Sequence, residues 1–316
     1  MRTAAQVGRK PAAIGGARTE AGVIQSNEAM DTDRKTRTDS DAAARDGASA
    51  PNMSAVEAVG LTRRFGTLTA VDNLTLSVPA GSIFGLLGPN GAGKTTTIKM
   101  LTTMLPPSAG MARVSGFDVV RQPVEVRRRM GYVSQMLSAD GALTGYENLL
   151  LFARLYAIPR PLRRLRILEA LEFMALSESQ NVMVRNYSGG MIRRLEIAQS
   201  MLHRPAVLFL DEPTVGLDPV ARRAVWEHLR GLRDNFGATI LMTTHDMEEA
   251  DELSETIAIM HLSRVVAIGS PESLKAQVGP DASLDDVFVH YAGGLIEQGG
   301  RYSDVASLRR TVRRLG

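Results

Sequence analysis

The stretch Gly88-Pro89-Asn90-Gly91-Ala92-Gly93-Lys94-Thr95 constrains this chain more than any other. It follows the apolar run Ile83-Phe84-Gly85-Leu86-Leu87, which reads as a buried strand, and precedes Thr96-Thr97-Ile98-Lys99-Met100-Leu101, which reads as a helix. A glycine loop between strand and helix, ending in Lys-Thr, is the arrangement that cradles phosphate. Its glycines let successive backbone N–H groups turn inward with no Cβ in the way. The helix opening at Lys94 and Thr96 adds unpaired N–H groups and the positive end of its dipole. Lys94 supplies a point charge for the β- and γ-phosphates, and Thr95 a hydroxyl for Mg²⁺. The alternative is a glycine-rich turn that binds nothing, which the flanking strand and helix disfavour.

Composition narrows the class. The chain has 316 residues, enough for one large domain or two small ones, and 44% hydrophobic content suits a globular protein. No run of about eighteen apolar residues occurs, so no bilayer-spanning helix is expected. A net charge of +3 is too small to point to nucleic acid as the main partner. With no cysteine there can be no disulfide and no thiolate metal site.

Residues 1–53 are mostly Ala, Gly, Thr, Arg and Asp without hydrophobic period, and are expected to form a disordered tail. The N-terminus lacks a secretory apolar core, and Asp31, Asp33, Asp39, Asp41 and Asp46 argue against a transit peptide. Strand-like runs follow at Val56–Leu61, Leu74–Val78, Met111–Val114 and Met130–Val133. From about 137 to 203 the pattern turns helical, with one helix around Glu147–Leu155, an interruption at Pro159 and Pro161, and another from Leu165 to about Phe173. Strands return at Val207–Leu210, Thr239–Met242, Thr256–Met260 and Val265–Ile268, and helices at Pro219–Leu232 and Met247–Leu253 separate the first three. This alternation predicts an α/β fold with a mostly parallel sheet covered on both faces and an inserted helical lobe.

Two further stretches join the loop. Val207–Leu210 delivers Asp211-Glu212-Pro213 to the end of a buried strand. Asp211 would hold Mg²⁺ through its water shell, and Glu212 could polarise the water that attacks the γ-phosphate. Alone, two acids after an apolar strand are an ordinary capped strand end; behind a phosphate loop they read as chemistry. Tyr187-Ser188-Gly189-Gly190-Met191 places a good N-cap, Ser188, ahead of a helix with Ile192, Leu195, Ile197, Ala198 and Met201 toward the core. Ser188, Gly189 and Gly190 at that helix start offer a second anion site, although on these five residues alone an ordinary capped helix fits as well.

Together the loop, the serine-glycine-glycine stretch and Leu210-Asp211-Glu212-Pro213 resemble the nucleotide-binding subunit of ABC transporters, in order and spacing, across 54 to about 269. The resemblance implies a phosphate-loop ATPase with an antiparallel β subdomain, a parallel core sheet, a helical subdomain near 137–203 and a short helical extension over 270–316. It implies ATP and Mg²⁺, with Gln135 at the metal and sensing a membrane partner. Asp218, in Gly216-Leu217-Asp218-Pro219, would act across a subunit boundary, His245 would contact the γ-phosphate, and Phe65 would stack on adenine. Read alone, Phe65 is equally a core residue or surface anchor. In the family two subunits pair head to tail, so each ATP lies between one subunit's Gly88–Thr95 loop and the other's Ser188-Gly189-Gly190. The implied assembly is peripheral on the cytoplasmic face of the membrane, with a separate permease docking near Gln135 and the helical lobe.

Within the family, Gly145–Leu149, Phe152–Tyr156, Tyr187–Met191 and Leu284–Phe288 are similar to the antibiotic-exporter branch of the daunorubicin-resistance type. Many members carry Leu and Gln where this chain has Tyr187 and Met191, and Ala198-Gln199-Ser200 lacks an arginine often found there. Other readings are a soluble ABC ATPase acting on ribosomes or DNA, which a single cassette without sustained heptads disfavours, and a small importer ATPase. A GTPase or small-molecule kinase leaves Tyr187–Met191 unexplained. Val305, Leu308, Val312 and Leu315 with Arg309, Arg310, Arg313 and Arg314 predict a basic C-terminal helix, either lying on an anionic surface or simply solvated.

Overall fold

The structure, a computed structural model, describes residues 54–299, with side chains as far as Gly293. The expected N-terminal tail and the basic stripe at Val305–Leu315 lie outside the described residues.

Strands β1 (Ser54–Phe65) and β2 (Leu68–Pro79) form a long hairpin. The chain continues through β3 (Ile83–Leu87), α1 (Lys94–Leu101), β4 (Ala109–Val114), β5 (Phe117–Asp118), α2 (Pro123–Arg129) and β6 (Met130–Val133). Three helices follow before the next strand: α3 (Gly145–Leu155), α4 (Arg160–Phe173) and α5 (Gly189–Met201). Then come β7 (Val207–Asp211), α6 (Pro219–Phe236), β8 (Thr239–Thr244), α7 (Met247–Leu253), β9 (Thr256–His261), β10 (Arg264–Gly269), α8 (Pro271–Ala276) and α9 (Leu284–Gly299).

The elements build two sheets. One is antiparallel, in the order β2-β1-β4-β5. The other runs β10-β9-β3-β8-β7-β6 and is parallel apart from the β9–β10 hairpin. Every residue of β3, β7 and β8 is buried, as parallel strands covered on both faces require. Their side chains alternate between two cores. Phe84, Leu86, Val207 and Phe209 pack with the antiparallel sheet and α1, while Ile83, Leu208 and Leu210 pack toward Leu149, Ile167, Leu195 and Ile197 of the helical lobe. A third cluster seats Val287, Phe288 and Ala292 of α9 on Ile257 and Ile259 of β9.

The register sets where the chemistry collects. Leu87 pairs with Thr244, and Asp211 with Thr243, so β3, β8 and β7 end along one line. The expected α/β architecture is therefore the observed one. Two boundaries differ from expectation for local reasons. α4 begins at Arg160 rather than Leu165, because Pro161 lies in its first turn, where a missing N–H costs nothing and its fixed φ favours the helix. α6 runs on past Leu232 to Phe236 and stops at Gly237, whose φ of +63° makes the left-handed cap.

Phe209 has no exposed surface and sits in β7, between β8 and β6, so Phe209→Ala should lower unfolding free energy by roughly 3–5 kcal/mol, read from the denaturant midpoint.

Candidate active site

Close backbone approach shapes the loop after β3. Gly88 N donates to Thr244 O at 3.1 Å, and a Cβ on Gly88 would lie 2.2 Å from Met260 O. Gly93 turns at φ +107° and a Cβ there would meet Ala70 O at 2.3 Å, so only glycine fits. Gly93 is also the N-cap of α1 and can offer no capping side chain. By contrast α3, α5, α6 and α7 are capped by Thr144, Ser188, Asp218 and Asp246. The first amides of α1 are thus left facing the loop, as an anion seat requires.

Into this loop reaches a buried lysine. Lys94 Nζ donates to Gly88 O at 2.7 Å and Pro89 O at 3.2 Å, and lies 3.3 Å from Glu212 Oε1. Burial lowers the Lys94 pKa, while the charges of Glu212 and Asp211 oppose that shift. Asp211 Oδ1 accepts from Thr95 Oγ1 at 3.1 Å and from Thr243 Oγ1 at 2.6 Å, so α1, β7 and β8 meet on one carboxylate.

Glu212 follows with a φ of +50°, a left-handed conformation that costs a non-glycine residue on the order of 1–3 kcal/mol. Its N–H is held by Thr243, through O at 3.1 Å and Oγ1 at 3.0 Å. The turn swings the Glu212 carboxylate off the strand and between three partners. Besides Lys94, Gln135 Nε2 donates to its Oε2 at 3.1 Å, and His245 Nδ1 stands 3.3 Å from Oε1 without hydrogen-bond alignment. A cavity of about 470 Å³ opens beside these groups, walled by Gly88, Asn90, Glu212, Thr244, His245 and residues of α7 and α9.

Lys94, Thr95, Gln135, Asp211, Glu212 and His245 are thus brought together. Ser188, Gly189, Gly190 and Asp218 are not: none of them walls this cavity or bonds to the loop among the described residues. Ser188 caps α5 by accepting from Met191 N at 3.2 Å, and Gly190 packs so closely on α6 that a Cβ would lie 2.7 Å from Ala221 Cβ. Phe65 is 45% exposed at the end of β1, with the Arg63 guanidinium 4.5 Å over its ring.

Sequence reasoning misses three buried polar residues around the site. Glu249 accepts from Thr214 Oγ1 at 2.6 Å and Trp226 Nε1 at 3.1 Å, and burial raises its pKa. Arg193 and Glu196 form an ion pair, 2% and 3% exposed. On a helical sequence an acid and a base three apart look like a solvated face, and no local signal marks these as interior.

Comparison with known proteins identifies the family. The ABC transporter family model matches residues 71–215. The chain is 46% identical over 225 residues to the daunorubicin/doxorubicin resistance ATP-binding protein DrrA of Streptomyces peucetius, covering 71% of this chain and 68% of that one. It is 45% identical over 215 residues to the Nod factor export ATP-binding protein I of Ralstonia nicotianae, covering 68% of this chain and 67% of that one. The chain belongs to the ABC transporter ATP-binding proteins. Among solved structures, the ATP-binding subunit of an ABC transporter superposes with a TM-score of 0.67 at 29% identity, covering 75% of this chain and 98% of that one. A dimeric ATP-binding cassette in a post-hydrolysis state with ADP and Pi superposes at 0.61 and 25% identity, covering 68% and 98%.

As an ABC ATPase the chain binds and hydrolyses ATP. One of its departures from common ABC wording has a visible structural basis. Tyr187 Oη donates to Ser179 O at 2.6 Å, and α3 starts on glycine at 145 because a Cβ there would lie 2.3 Å from that hydroxyl. The stretch before Ser188 is stitched to the start of α3 through Gly145 N to Val182 O and Tyr146 N to Gln180 O as well.

Gly145→Ala should therefore destabilise by roughly 1–3 kcal/mol through overpacking. Tyr187→Phe should cost about 0.5–1.5 kcal/mol alone, yet restore most of the loss when combined with Gly145→Ala. Thermal melts of the four proteins check this.

Proposed function

We propose that this chain is the ATP-hydrolysing subunit of a multi-subunit exporter of drugs or antibiotics, working as a pair of subunits around two ATP and coupled to a separate permease. The export reading rests on the similarity to resistance and export ATP-binding proteins. Among the described residues no helix is long and apolar enough to cross a membrane, so the pathway is assigned to another chain. Met136 and Leu137, 80% and 51% exposed beside Gln135, supply an apolar dock for it on the cytoplasmic face of the membrane. Residues 54–269 form the ATPase domain, with a helical subdomain over about 137–203 and a helical extension from 270.

The observation that carries the mechanism is the Glu212 carboxylate, turned off β7 and held by Lys94 and Gln135. In that position it acts as the base that orients and deprotonates the attacking water. Gly88, Pro89, Asn90, Gly91, Ala92, Gly93, Lys94, Thr95 and Thr96 wrap the phosphates, which the unengaged backbone N–H groups of the loop and of the first turn of α1 hold together with the Lys94 point charge. His245, level with Glu212, contacts the terminal phosphate, and Phe65 stacks on the adenine. Thr95, Asp211 and Gln135 offer a hydroxyl, a carboxylate and an amide, an all-oxygen set that fits Mg²⁺. When bound, Mg²⁺ would neutralise charge on the β- and γ-phosphate oxygens. Ser188, Gly189, Gly190 and Asp218, standing away from their own loop, close the partner subunit's site in trans.

Glu212→Gln keeps the shape of the side chain and removes its basicity. It should retain ATP binding, lower turnover by at least about a hundredfold and accumulate an ATP-dependent dimer in size-exclusion chromatography. Undiminished turnover would remove Glu212 from the mechanism. Mass spectrometry of this variant recovered from native membranes with ATP should find a multi-span protein in stoichiometric amount; ribosomal or DNA-repair proteins in its place would overturn the exporter reading.

A further inference from the structure

We propose that Arg193 and Glu196 are a positioning pair: they clamp the Gln135 loop to α5, so that engagement of Ser188-Gly189-Gly190 at the head of α5 sets where the Gln135 side chain stands against Glu212. The proposal rests on the roles given above to Ser188, Gln135 and Glu212, and adds the part that connects them.

The clamp closes on the loop from both ends. Arg193 Nη1 donates to Ser134 O at 2.7 Å, and Nη2 to Gln135 O at 2.9 Å. These carbonyls belong to the two peptide groups that flank the α-carbon of Gln135. Holding both peptide planes fixes the direction in which the Gln135 side chain leaves the backbone. Glu196 takes the far end: Oε1 accepts from Ser138 N, from Ser138 Oγ at 3.1 Å and from Ala139 N at 3.3 Å. Arg193 Nη1 also lies 3.1 Å from Glu196 Oε2, so the two side chains brace each other. Among the described residues, no other hydrogen bond connects the Gln135 backbone to α5.

Apolar contact would have sufficed to rest a loop on a helix. Here the chain buries a guanidinium and a carboxylate almost completely, with the desolvation cost that entails. What the charges add is direction, since a forked guanidinium matches two successive carbonyls in one geometry only. Ser188 caps the same helix five residues before Arg193, about 7.5 Å along its axis. A helix of this length moves as a rod. A tilt or shift of its N-terminus, as when Ser188-Gly189-Gly190 meets the phosphates of the partner's nucleotide, is passed to the Gln135 backbone and from there to Gln135 Nε2, 3.1 Å from Glu212 Oε2. Each subunit's own hydrolysis site is in this way informed of the contact its α5 makes on the other nucleotide.

The deciding variant is Arg193→Lys in the full-length chain, which keeps the charge beside Glu196 and loses the fork. A companion, Arg193→Met/Glu196→Leu, removes both charges together, so no unpaired one is left inside. Turnover as a function of ATP, binding of a fluorescent ATP analogue by the monomer and the melting temperature are measured, with and without Gln135→Ala. Expected for Arg193→Lys is a fall in kcat of about tenfold or more, monomer affinity within about twofold, and less than about twofold further loss on adding Gln135→Ala. Turnover within twofold of the unaltered chain would overturn the proposal. So would losses from Arg193→Lys and Gln135→Ala that multiply, or a loss of kcat matched by loss of monomer binding and of melting temperature. Glu212→Gln in the same series separates the two levels: if it keeps turnover, the reading of the site has failed, whereas if only Arg193→Lys is silent, the clamp alone has failed.

Discussion

The register between β3, β8 and β7 is the constraint on which the rest depends. Because Leu87 lies beside Thr244 and Asp211 beside Thr243, the loop after β3, the acids after β7 and His245 after β8 leave the sheet at one level. A parallel sheet collects such residues at its carboxyl edge without any one of them being near another in sequence. Thr243 shows how tightly the edge is tied: its hydroxyl donates to Asp211 Oδ1 and accepts from Glu212 N, so one β8 side chain orients both consecutive acids. A slip of one residue between β7 and β8 would turn that hydroxyl to the opposite face and release both.

Around this edge the structure carries polar groups in the interior, and it meets their cost by giving nearly every one several partners. Asp211 has two hydroxyl donors, Glu212 has Lys94 and Gln135, Glu249 has Thr214 and Trp226, and Glu196 has a loop backbone together with Arg193. A buried carboxylate held by several donors is kept in one rotamer, which a hydrolytic site needs more than it needs stability. Glu212 shows the same priority in its backbone, held left-handed at φ +50° by neighbours that over-determine it.

What is legible in the sequence follows from how local each signal is. The strand-loop-helix at Ile83–Leu101 is readable because glycine turn, lysine and apolar run are contiguous, and the all-buried strands β3, β7 and β8 are readable from short apolar runs within them, Ile83–Leu87, Val207–Leu210 and Ile240–Met242. The start of α4 is misread because Pro161 signals a break in a helix interior and a welcome at its first turn, and only the surrounding geometry decides which. Arg193, Glu196 and Glu249 are illegible for a different reason. Their burial comes from the loop at Ser134–Ala139 and from Trp226 and Thr214, brought over them by tertiary folding, while on their own helices they fall in ordinary charged positions. Tyr187 is visible in sequence only as a departure; its physical reason, the hydroxyl on Ser179 O above a glycine, needs the third dimension.

The two buried cations of this region show that residue identity there is dictated by the shape of what each must hold. Of 37 basic residues only Lys10, Lys35, Lys94, Lys99 and Lys275 are lysine, so arginine is the default base of this chain. At position 94 the acceptors are Gly88 O, Pro89 O and a Glu212 oxygen, gathered around one point at 2.7, 3.2 and 3.3 Å. An ammonium, compact and with three N–H donors on one atom, matches that set; a planar guanidinium spreads its donors and needs room that a side chain only 4% exposed does not have. At position 193 the acceptors are two successive main-chain carbonyls and a carboxylate, spread across the face of the side chain, and there the fork fits and the point charge does not. Exchanging lysine and arginine at either place would conserve charge and lose the geometry, which is the property both sites use.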